Sequence, residues 1–243
     1  MGSPARQVVA ETLREILRTQ FGFLAFRRIR PNLEKHAFSY LVYVFTVTWI
    51  VGIGRYWDHP DAYLWQSAGL GSVAYIVLLS LLIYLVALPL RPVRWSYRMV
   101  LVFVGLTSLP ALLYAVPVER FLPLEAAQTV NAWFLAVVAA WRVALYVRFL
   151  ITAAGLGAFE TAVATVLPIS AIVVALAVLD LEHVVFSVMA GIREDAASPN
   201  DAAYSVVFTL SIFAFVAFPL TLIGYAGAIY RRIRNQKKAD GQG

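Results

Sequence analysis

The chain has 243 residues, of which 61% are hydrophobic and only 14% charged, with a formal net charge of +6 and no cysteine. A mean hydropathy of +0.75 and an apolar content well above the roughly 45 to 50% of a soluble domain exclude an ordinary globular protein. The absence of cysteine excludes disulfides, thiolate metal sites and thiol chemistry.

In chain order, residues 1–35 come first as a cytoplasmic amphipathic and basic segment. Val9, Leu13, Ile16 and Leu17 recur at helical spacing with Arg14 and Arg18 on the other side, and "RRIR" follows at 27–30. That pattern predicts an interfacial helix on an anionic leaflet, as a membrane anchor or a partner-docking element. No short apolar region with a small-residue cleavage site precedes the first span, so an uncleaved signal anchor is expected.

Crossing about 30 Å of hydrocarbon takes about 20 apolar residues. Six such runs lie within 36–230, at about 37–54, 68–90, 99–117, 126–151, 157–179 and 204–230. The apolar stretch 183–192 is too short to span and reads as interfacial, re-entrant or a helix extension. A basic tail, 231–243, closes the chain. The expected fold is all-α, a polytopic transmembrane helical bundle of one domain, and no internal repeat points to an inverted-repeat transporter.

Orientation follows from Lys and Arg, which stay on the cytoplasmic side. With both termini inside, Arg6, Arg14, Arg18, Arg27, Arg28, Arg30, Lys35, Arg91, Arg94, Arg98, Arg148, Arg231, Arg232, Arg234, Lys237 and Lys238 are cytoplasmic. Only Arg55, Arg120 and Arg193 fall outside, among the acidic residues of the outer loops. The positive charge is therefore an orientation signal and no nucleic-acid partner is implied. Preference for Arg over Lys and abundant Ala and Val suggest a GC-rich bacterial genome, hence a bacterial inner membrane.

The polar residues in and between the spans are few. "RYWDHPD" at 55–61 and "DLEH" at 180–183 place Asp58, His59, Glu182 and His183 on the outer face, a weak metal-ligand set that lacks the i, i+4 histidine spacing of a helical site and reads first as solvated loop. No histidine lies mid-membrane to hold a haem, no carboxylate lies at a span centre to relay protons, and no catalytic constellation is evident. No cofactor is expected. Pro110, Pro168 and Pro219 fall inside the third, fifth and sixth spans and predict kinks, with Ser108, Thr165 and Thr221 nearby to compensate the lost hydrogen bonds.

"AAWRVALYVRFLITAAGLGAFETA", residues 139–162, carries three charges inside an apolar run. A tight turn at "AAGLG" brings Arg148 within about one helical turn of Glu160, so a hairpin ion pair at the cytoplasmic boundary is expected. Arg142 lies roughly 9 Å deeper at about 1.5 Å per residue. Burying an arginine at a helix centre costs roughly 2.5 to 3.5 kcal/mol. It either snorkels, supported by Tyr146, or lines a polar or anion-binding cavity.

The stretches "SYRMVLVFVGLTSLPALLY" and "NAWFLAVVAAWRVALYVRFLITAAGLGAFETAVATVLP" resemble the Yip-domain family of polytopic membrane proteins, over residues 92–171. The likeness lies in a span broken at Ser-Leu-Pro, then a Trp-containing span running through a glycine turn into an alanine-rich helix. It implies a non-enzymatic helical bundle with its N-terminal region in the cytoplasm. Eukaryotic members bind small GTPases in membrane traffic, and bacterial members are largely without assigned activity. Family members typically have five spans where this chain has six, and no functional residue is carried over. The sequence therefore points to a membrane-organising or adaptor protein contacting partners through its basic cytoplasmic segments. The alternative is a transporter or channel for a small solute, an anionic one where Arg142 lines the path.

Overall fold

The computed structural model describes residues 4–27, 31–57, 63–179 and 201–240. Among these the chain is entirely helical: α1 Pro4–Leu24, α2 Leu33–Tyr56, α3 Leu64–Ser67, α4 Leu70–Ala87, α5 Tyr97–Leu106, α6 Leu124–Thr152, α7 Ala158–Val178 and α8 Asp201–Asp240. Short 3-10 segments cover Leu88–Leu90, Leu109–Ala115 and Val118–Arg120. Six segments are long and apolar enough to cross a bilayer: Leu33–Gly54, Leu70–Leu90, Tyr97–Ala115, Thr129–Thr152, Ala158–Val178 and Thr209–Asn235. The chain is an integral, multi-pass membrane protein. The expected stretch 183–192 lies outside the described residues.

The six helices correspond to the six expected apolar runs, the first beginning at Leu33 and the last reaching Asn235, and one of them differs in form. Instead of a single helix over 99–117, the third span is an α-helix only to Leu106 and continues as 3-10 helix from Leu109. The cause is Pro110, which has no amide to continue the α-helical ladder. Pro168 and Pro219 by contrast sit inside α7 and α8, which run on past them as single helices. At the start of α2, Asn32 Oδ1 accepts the Lys35 amide at 3.3 Å, and His36 is non-helical (φ −125°, ψ 27°), separating the first charged turn from the apolar span.

The chain forms two compact units. The first comprises Met1–Tyr84, Arg94–Val116 and Ala144–Ala154. Its core is built from Ile16, Tyr40, Val44, Val102 and Leu106, with every residue of α5 from Val100 to Leu106 buried. Phe103 stacks on Phe149 with ring centroids 4.0 Å apart and takes the edge of Phe23 at 5.4 Å. Gly105 allows α5 to approach α2 this closely: a β-carbon there would collide with the Val44 side chain. The turn into α4 uses Gly69 at φ +69°, where a side chain would also meet the Trp49 carbonyl at 2.7 Å. Trp49 Nε1 donates across this turn to the Ala68 carbonyl at 2.8 Å.

The second unit comprises Leu85–Val93, Pro117–Val143 and Gly155–Gly243. Here α7 lies along α8, with Gly224 facing Val163 and Phe159. The last carbonyls of α4 have no intrahelical partner, and Tyr225 of α8 donates its hydroxyl to one of them, Val86, at 2.7 Å.

Candidate functional site

The polar groups of the first unit gather at the break in the third span. In a continuous helix the Leu106 carbonyl would accept from residue 110, which is proline. Thr107 and Ser108 turn their hydroxyls back on the Val104 and Gly105 carbonyls, each at 2.7 Å. Ser108 also accepts from Thr48 of α2 at 3.1 Å. The Leu106 carbonyl itself accepts from Gln20 Nε2 of α1 at 3.2 Å.

Gln20 is fully buried, and so are its neighbours Thr19 and Ile16. Thr19 shares a 2.9 Å hydrogen bond with Tyr40 of α2. One turn earlier, Glu15 lies 3.7 Å from His36. The amphipathic helix expected at the membrane surface is present, and its second half goes further by packing into the core. Leu106 lies nine residues beyond Tyr97, about 14 Å along the third span at about 1.5 Å per residue, so α1 delivers its amide to the middle of that span.

The charged residues singled out from sequence are distributed as follows. Glu160 sits in the first turn of α7, where the helix dipole favours a carboxylate, and lies 3.8 Å from Arg232 of α8. Arg231 lies over the Phe159 ring at 5.4 Å. Arg148, the partner expected for Glu160, belongs to the other unit, and its carbonyl accepts from Thr152. Arg142 is partly buried in α6 and is not a lone cation. Of the residues expected to compensate prolines, Ser108 and Thr221 bond back to preceding carbonyls. Thr165 does not: its hydroxyl is buried without a partner among the described residues, as is that of Thr161 one turn earlier. Asp58, His59, Glu182 and His183 lie outside the described residues.

No family model, no curated protein and no solved structure matches the chain.

The residue that sequence reading passed over is Gln20. Its signal is faint but physical: it lies four residues after Ile16 and four before Leu24, a primary amide on the buried line of an amphipathic helix. A buried amide needs a partner, and Pro110 frees a carbonyl that needs a donor.

Proposed function

We propose that this integral membrane protein is a non-catalytic organising or adaptor protein of a bacterial inner membrane, with both termini in the cytoplasm and the N-terminal segment as its partner-facing part. The observation that carries this reading is the partly seated apolar stripe of α1. Its apolar stripe is seated in the core at Ile16 and Gln20, with Thr19 beside them, while Val9 and Leu13 nearer the N-terminus and Leu17 and Phe21 at the stripe's edge stay exposed, next to exposed Arg14 and Arg18. An apolar stripe seated at one end and open along the rest offers a preformed surface for a partner helix. The distribution of Lys and Arg supports the orientation, and the composition supports the bacterial membrane. The resemblance of 92–171 to the Yip-domain family supports binding over catalysis.

A photo-crosslinking residue at Leu17, or at Arg14, tests the reading in native membranes. It should give a discrete adduct with one protein, lost in an Arg14→Glu/Arg18→Glu variant; lipid adducts alone from both positions would remove the adaptor reading. The transport alternative places Arg142 along a path for a small anion. Loss of solute flux in liposomes on Arg142→Leu, with yield and folding retained, would favour transport. Flux no greater than that of empty liposomes across a broad solute panel would eliminate it.

A further inference from the structure

The third span is the most enclosed of the six candidate spans, half buried within the chain against 11% for the last. It is also the span whose α-helix stops midway. Interrupted helices persist in membranes where neighbouring groups take up the freed backbone positions. Here the neighbouring group comes from outside the spans altogether, from a helix 86 residues earlier in the chain.

We propose that α1 is a latch on the third span: Gln20 supplies the hydrogen bond that Pro110 denies to the Leu106 carbonyl, so the conformation of residues 106–115 depends on whether α1 is seated. Three contacts aim the amide. Thr19 is tied to Tyr40, Ile16 packs in the core cluster, and Phe23 sets its edge against Phe103. Two features make the seat releasable. The amide is used on its donor side only, since Gln20 Oε1 is buried with no partner among the described residues, and a buried acceptor without a donor weakens the seat it belongs to. Val9, Leu13, Leu17 and Phe21 of α1 are already exposed, so withdrawal newly uncovers only the short seated part of a helix that otherwise has surroundings of its own. Once α1 leaves, the Leu106 carbonyl is stranded in an apolar core beside a proline, and the break becomes a hinge. The latch stands whether or not residues 1–30 dock a partner.

Hydrogen–deuterium exchange on the full chain in nanodiscs reads the latch directly. The amides of Thr107, Ser108 and Ala111 are bonded in the seated state. Gln20→Leu, close in volume and without a donor, should speed their exchange by about 5- to 150-fold, the range implied by leaving one buried carbonyl unbonded. The α1 amides should quicken with them, while segment 158–178 stays unchanged. Pro110→Ala restores the missing amide, so in that background Gln20→Leu should add nothing at 107–111. Unchanged exchange in Gln20→Leu overturns the latch. So does acceleration shared equally by 158–178, or an effect of the same size with and without Pro110, which would mark Gln20 as packing alone.

Discussion

Gly105 offers the sharpest test of how the first unit is packed, because the same substitution at a second glycine supplies its control. A β-carbon at Gly105 would overlap Val44 Cβ and approach its two γ-methyls at 2.9 and 3.1 Å. Val44 is fully buried in the core and has no free end to swing aside. At Gly227, in the interior of α8, an added β-carbon meets nothing within 4 Å. Both positions are helical, so Gly→Ala gains a similar propensity term of about 1 kcal/mol at each, and the difference between the two variants isolates the collision. Overpacking of this kind costs about 1 to 3 kcal/mol. At about 2 to 4 °C per kcal/mol for a chain of this size, Gly105→Ala should melt about 2 to 12 °C below Gly227→Ala. Tryptophan fluorescence in a fixed detergent measures the transition. Adding Val44→Ala to Gly105→Ala should recover only part of the loss, because alanine keeps the β-carbon that lies nearest. A Gly105→Ala protein melting level with Gly227→Ala would refute the close packing of α5 on α2.

Other outcomes follow from single contacts. Tyr225→Phe strips the 2.7 Å bond to the Val86 carbonyl and should cost about 1 to 2 kcal/mol in the same melt; no change would mean that the carbonyl finds another donor. Glu160→Gln should cost less than about 1 kcal/mol, because the pair with Arg232 is 3.8 Å long and both side chains are partly exposed (21% and 32%). A double-mutant cycle with Arg148→Gln checks the hairpin clasp, and additive costs within about 0.5 kcal/mol would exclude it. A reporter fused after Arg234 should be active only on the cytoplasmic side, and activity on the outer side would invert the proposed orientation.

The spans were legible because their signal is local: about 20 apolar residues bounded by charges identify a span wherever its neighbours lie. The fourth and fifth were expected at 126–151 and 157–179 and form at Leu124–Thr152 and Ala158–Val178. Pro110 was legible as a disturbance, though not as a change of helix type, which depends on what surrounds the freed carbonyls. Gln20 and Arg232 were illegible for one reason. Each meets a partner far from it in the chain, Gln20 the Leu106 carbonyl and Arg232 the Glu160 carboxylate, whereas turn arithmetic relates only residues close to a turn, such as Arg148 and Glu160. The hydroxyl of Thr165, without a partner among the described residues, shows the converse, since proximity to Pro168 in sequence did not make it the compensating donor.

The change of helix type in the third span also alters its reach. At 19 residues it is the shortest of the six, against 27 for the last. Its 10 α-helical residues advance about 15 Å at about 1.5 Å each. The 7 residues of Leu109–Ala115 advance about 14 Å at about 2.0 Å each. Together these 17 of its 19 residues advance about 29 Å, about 3.5 Å further than the same 17 would as an α-helix. Pro110 thus lengthens the shortest span, so a substitution that restores a regular α-helix there would draw its two ends together by about 3.5 Å.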